Sequence, residues 1–129
     1  MNCDQHSTHD KVAEFHRVFG AAINAPWTDE LIRLRLDLLL DELCELEEAL
    51  LARDRPHAAQ ESADLEYVLH GTTISLGLDL DRAVSEVHRA NMRKLDTNGQ
   101  PRYRSDGKVL KPAGWTPPDC SSAVLDGAL

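Results

Sequence analysis

Apolar positions recur at helical spacing along most of the chain up to about residue 95. Val12, Phe15, Val18 and Phe19 mark one side of a first helix running from Lys11 to about Ala22, and Pro26 ends whatever precedes it. A long second helix is expected from about Glu30 to Arg53, with Thr28 or Asp29 as its N-cap and no glycine or proline inside it. Asp54-Arg55-Pro56 breaks the pattern, and Pro56 suits the first turn of a third helix that runs to about Leu76, before Gly77. So short a connection predicts that the second and third helices are antiparallel neighbours. Asp79 or Asp81 caps a fourth helix through Ala83, Val84, Val87, Asn91 and Leu95, which stops before the Asp96 to Gly99 turn. Beyond it, Arg102 to Leu110 fits a small hairpin around Asp106-Gly107, and Pro112, Pro117 and Pro118 make the rest extended and irregular. The expected fold is all-α: a four- to five-helix bundle with an antiparallel metal-binding helix pair and an irregular basic C-terminal tail. It forms one domain over residues 1–129, helical from about 10 to 96, with the tail from about 97.

The phase of the charges changes this picture. Glutamate-rich helices ordinarily present a solvated face. Here, stepping by three and four residues gives Leu34, Leu38, Glu42, Glu45 and Ala49, so two glutamates continue a face that begins apolar. Glu61 and Asp64 share a side of the third helix with Leu65 and Val68. Within each pair, i,i+3 spacing aims both carboxylates the same way, so an antiparallel hairpin brings four together. Such a cluster repels itself unless protons or divalent cations neutralise it. Hard oxygen donors point to Mg²⁺, with Mn²⁺ the alternative, whereas zinc favours histidine or cysteine. A di-iron bundle expects two Glu-x-x-His motifs, and none of the six histidines follows a glutamate at that spacing. Glu47 and Glu48 read as solvated charge, and Asp41 lies at the margin of the site.

Charge is also divided along the chain, whose formal net charge is −8. Residues 28–66 carry twelve acids and four bases, while residues 82–111 carry eight bases and three acids. An acidic cation site together with lysines and arginines is what a polyphosphate substrate requires. The overall acidity argues against a nucleic-acid polymer or an anionic membrane as partner. Asn91 shares a stripe with Val84, Val87 and Leu95, which turns its amide to the interior, for a structural bond or a substrate contact. Lys94, Lys108 and Lys111 are each ambiguous alone, as are Trp27, Tyr67 and Trp115, aromatics that suit either a base or the core.

Three widely spaced cysteines, Cys3, Cys44 and Cys120, form no disulfide or zinc pattern, and Cys44 reads as a small buried apolar residue. The polar N-terminus, Met1 to Asp10, lacks a signal peptide's apolar stretch, and no run reaches membrane-span length, so a reduced cytoplasmic protein is expected. Leucines outside the metal stripe, such as Leu36, Leu40 and Leu43, together with the first helix, suggest a homodimer or homotetramer.

The segments Asp41-Glu42-Leu43-Cys44-Glu45-Leu46 and Glu61-Ser62-Ala63-Asp64-Leu65 look like the ExxE and ExxD metal motifs of the all-α nucleoside triphosphate pyrophosphohydrolases, the MazG-like superfamily. Asp41 stands where that motif commonly begins with glutamate. His88 to Asp96, followed by Asp106-Gly107-Lys108-Val109-Leu110-Lys111-Pro112, resembles the C-terminal portion of the MazG-like and phosphoribosyl-ATP pyrophosphohydrolase-like branch, so that the resemblance spans roughly residues 36–118. It implies hydrolysis between the α and β phosphates of a nucleoside triphosphate. Glu42, Glu45, Glu61 and Asp64 would hold Mg²⁺; Asp41, Glu42 or Glu45 would activate water; Asn91, Lys94, Lys108 and Lys111 would bind the substrate. Alternatives are phosphoribosyl-ATP as the substrate and a non-catalytic metal-binding interaction module.

Overall fold

The computed structural model describes residues 6–125; Cys3 and the first residues of the polar N-terminus lie outside them. The described residues contain four α-helices, α1 (Thr8–Phe19), α2 (Asp29–Leu51), α3 (Arg55–Ser75) and α4 (Leu80–Met92), with a 3-10 turn at Ser121–Ala123 and no strand. None of these helices is long and apolar enough to cross a membrane. Residues 6–78 with Leu125 make one compact unit, and Asp79–Val124 a second.

The helix starts follow capping chemistry. Ser7, Thr28, Asp54 and Asp79 each accept a hydrogen bond from the backbone N–H three residues on, as side chains at a helix N-cap do. α1 begins earlier than its apolar pattern suggests because Ser7 supplies that cap, and it ends where Gly20 takes a left-handed conformation, φ 73°. Its buried residues are Val12 and His16; Phe15, Val18 and Phe19, on the apolar side read from the spacing, are exposed. Phe15 instead stacks on Phe19 and meets the edge of Tyr67. α4 stops at Met92, short of Leu95.

In the first unit, α2 and α3 pair antiparallel: Arg35 reaches Val68 and Thr72 near one end, while Asp54 N–H bonds to the Ala49 carbonyl at the other. The turn between them is closed by Arg53, at φ 55°. The segment between α1 and α2 is stitched to the end of α3. Asn24 and Ala25 N–H donate to the carbonyls of Ile74 and Ser75, Ser75 Oγ donates to Ala22 O at 3.0 Å, and Trp27 Nε1 donates to Leu76 O at 2.8 Å. Trp27 is thus a structural peg.

The buried side of α2 differs from the expected stripe. Leu34 is exposed, and the buried line starts from Arg35. At about 100° per residue, Arg35 lies only about 20° from Glu42 around the helix, whereas Leu34 lies about 80° away. Arg35 Nε donates to Thr72 Oγ1 at 3.1 Å, and Nη2 donates to Val68 O at 2.9 Å. Burial holds its guanidinium below the usual arginine range. Beside it His16 Nδ1 lies 2.9 Å from Ala22 O, and since a carbonyl only accepts, that nitrogen carries the proton.

These two side chains close over Gly71, where a Cβ would come within 2.5 Å of Arg35 Nη2 and 2.9 Å of His16 Nε2. Both are tied by hydrogen bonds and cannot swing aside freely. Gly71→Ala is expected to destabilise the protein by roughly 2 kcal/mol, as overpacking does, read as a lower denaturation midpoint at unchanged slope. A midpoint equal to wild type would contradict the close approach.

The second unit carries α4 and the residues after it. Tyr103 and Val109 form an antiparallel bridge around Asp106-Gly107, so the expected hairpin is present at minimal length. Trp115 Nε1 donates to Ala90 O at 2.7 Å, and Asp79 N–H donates to Ala123 O at 2.7 Å, fastening the irregular segment to α4. Ala90 is buried, but Asn91, expected to face the interior, is exposed together with Val84 and Val87.

Candidate metal centre

Glu42 on α2 and Glu61 on α3 face each other because Arg35 fixes the register of the two helices. One carboxylate oxygen from each of Glu42, Glu45 and Glu61 lies within 4.8 Å of the others. Glu61 is buried, its side chain only 6 % exposed. Its Oε1 lies 2.9 Å from His57 Nε2, while its Oε2 and Glu42 Oε2 are buried without a hydrogen-bond partner. Buried oxygens of this kind ordinarily find donors, because leaving them bare carries the full desolvation cost.

The electrostatics agree. Glu42 is held above the usual carboxylate range, first by burial, then by the charge and hydrogen bond of Glu45, and then by the charges of Asp64 and Glu61. A proton relieves one such carboxylate; a divalent cation relieves the group at once. The oxygen-rich set fits a hard cation.

Four carboxylates were expected to converge. Three do, while Asp64 is half-buried on α3 and acts on Glu42 through its charge. Glu45 is exposed, though it was expected to be turned inward, because it lies about 60° around α2 from Glu42. Asp41 is exposed and stands outside the group, and Cys44 is exposed instead of buried. Lys94, Lys108 and Lys111 belong to the second unit, as does Asn91.

His57 was given no role by its spacing to other histidines. It stands one helical turn before Glu61, and that i,i+4 relation to a carboxylate was the signal for it.

Residues 12–91 match the family described as phosphoribosyl-ATP pyrophosphohydrolase. The chain belongs to that family. It thereby falls within the MazG-like all-α superfamily, and the match takes in both carboxylate pairs, ending at Asn91. The chain is also similar to an uncharacterized protein of Acanthamoeba polyphaga mimivirus, at 25% identity over 117 residues. The similarity covers 85% of this chain and 44% of the viral protein, so the chain spans less than half the length of that curated relative.

The raised Glu42 sets a pH dependence for the metal-free protein. The folded state retains a proton there that the unfolded chain releases near 4.5. Stability is therefore greatest below that value and falls as pH rises through the raised one. Glu42→Gln should flatten this fall and raise the midpoint of thermal unfolding at neutral pH by a few degrees in EDTA. Parallel wild-type and variant profiles would refute the assignment.

Proposed function

We propose that the chain is a Mg²⁺-dependent nucleoside triphosphate pyrophosphohydrolase, with Mn²⁺ able to substitute. It hydrolyses the α–β phosphoanhydride to a nucleoside monophosphate and pyrophosphate, which suits clearance of unwanted nucleotides. The observation that carries this reading is the pair of buried, partnerless oxygens on Glu42 and Glu61, gathered with a Glu45 oxygen within 4.8 Å. Family membership supports it.

Glu42, Glu45, Glu61 and Asp64 would hold the metal. Bound divalent ions supply neutralisation of phosphate charge and a lowered pKa for a water. The remaining work falls to the chain. His57 steadies Glu61 through Oε1, leaving Oε2 for the site. Glu45, solvent-facing yet within the group, is the leading base to accept the water's proton; Glu42, and Asp41 just before it, are the other candidates. The water oxygen joins one phosphorus as the anhydride bond breaks, and its electron pair leaves with the departing phosphate oxygen. Asn91 would contact sugar or phosphate, and Lys94, Lys108 and Lys111 would meet phosphate oxygens.

The family's description favours a second reading, phosphoribosyl-ATP as the substrate. A reduced cytoplasmic setting is supported by the free thiols of Cys44 and Cys120. Assembly as a homodimer or homotetramer is supported by Leu36, Leu40 and Leu43 on α2, all exposed, Leu40 to 53 %. Leu40→Glu should shift the mass in solution to that of a monomer by light scattering, and an unchanged mass would remove that face from any interface.

The functional test is pyrophosphate release with Mg²⁺ across canonical, deoxy, uracil-containing and oxidised triphosphates and phosphoribosyl-ATP. Glu42→Gln, Glu45→Gln, Glu61→Gln and Asp64→Asn should each lower kcat on the order of a hundredfold, as loss of roughly 3 kcal/mol of charge stabilisation gives. Full activity in two of the four would sink the site. Turnover of phosphoribosyl-ATP alone would select the second reading, and metal-induced stabilisation without release from any substrate would leave a binding module.

A further inference from the structure

A second concentration of charge lies in the second unit. A cavity of about 280 Å³ is lined by Lys94, Asp96, Arg102, Leu110, Lys111, Pro112 and Ala113. Three of these side chains are cations and one is an anion. That anion is already engaged: Asp96 Oδ1 accepts the backbone N–H groups of Asn98 and Gln100, both at 2.9 Å, and Oδ2 accepts Arg102 Nε at 3.2 Å. Lys94 and Lys111 have no carboxylate of their own here among the described ion pairs.

The two ammonium groups are held over one ring. Lys94 Nζ lies 5.8 Å from the centroid of Trp115, and Lys111 Nζ lies 4.7 Å from it. Cations are drawn to the negative face of an indole, most strongly when partly desolvated. The ring itself is fixed by the 2.7 Å bond from Trp115 Nε1 to Ala90 O in α4, and Arg93 Nη2 donates to Thr116 O at 3.2 Å beside it. Two flexible lysines, 17 residues apart in sequence, are thus gathered with Arg102 before any ligand arrives. Gathering like charges costs free energy, and a multivalent anion is the ligand that recovers it. Lys108 does not line this cavity, so the three candidate lysines separate into a pair and an outlier.

We propose that Trp115 is a positioning residue for a pyrophosphate-binding pocket formed by Lys94, Arg102 and Lys111. The pocket takes the diphosphate portion of a nucleotide, or free pyrophosphate. This deepens the reading of the chain as a pyrophosphohydrolase and rests on it for the ligand class, but it is testable without turnover.

The test is calorimetric titration of inorganic pyrophosphate into the full chain in EDTA, where the carboxylate site contributes nothing. Wild type should bind, and Lys94→Gln, Lys111→Gln and Trp115→Leu should each weaken binding at least about tenfold. Trp115→Phe, which keeps an aromatic face but loses the N–H, should stay within about threefold, a rescue that a merely structural role would not give. Arg33→Ala, which removes a positive charge from exposed α2, should leave affinity unchanged. Absence of wild-type binding, wild-type affinity in both lysine variants, or equal losses in Trp115→Phe and Trp115→Leu would overturn the proposal. If Trp115→Leu loses its helical circular dichroism, the lysine variants and Trp115→Phe decide. Pyrophosphate binding without catalytic release from any nucleotide would leave the pocket and remove the hydrolase reading; release without pyrophosphate binding would do the reverse.

Discussion

The register of α2 against α3 rests on Arg35. Its guanidinium crosses to Val68 O and Thr72 Oγ1, where the helices approach closely enough that Gly71 has no room for a side chain. Because a single buried cation makes both bonds, sliding either helix would strand it without partners. At the far end the Ala49–Asp54 bond fixes the same alignment. Between these two ties, Glu42 and Glu61 have no freedom to avoid each other. The acidic cluster is therefore a consequence of helix packing, held by groups that take no part in its chemistry.

Most of the architecture was legible in the sequence, because caps and breaks act locally. Thr28 and Asp79, each one of two residues the sequence offered as a cap, start α2 and α4, Asp54 in the expected break caps α3, and the short connection from Ala52 to Asp54 makes the pair antiparallel. Reading polarity as exposure failed where a charged residue is buried. Arg35 and His16 form part of the core, so the stripe drawn from Leu34 through Leu38 to Glu42 and Glu45 began about 80° around the helix from Glu42. Phe15, Val18 and Phe19 share one apolar side of α1, as their spacing predicts, and that side is exposed.

The candidate site was legible in its chemistry and less so in its details. Spacing by i,i+3 put Glu42, Glu45 and Glu61 in one group once Arg35 set the register, while Asp64, at the same spacing from Glu61, acts on Glu42 only through its charge. Which oxygens are bare, and that His57 occupies one side of Glu61, depend on side-chain geometry that no periodicity contains. Likewise Trp115, ambiguous as an isolated aromatic, acquires meaning only from the two lysines above it. Asn91 failed as an inward residue because the stripe it shares with Val84 and Val87 faces solvent in this chain.

The left-handed Arg53, at φ 55°, between two capped helices has an evolutionary corollary. Surface loops usually accept insertions at little cost. Here one extra residue carried into α3 would turn that helix by about 100° and lift it by about 1.5 Å. Glu61 would rotate away from Glu42, and Thr72 from Arg35. Length variation should therefore be filtered out at this bend while amino-acid identity on the outer helix faces drifts. Descendants of such a chain would keep the gap between Glu45 and Glu61 nearly constant long after the surrounding letters have changed.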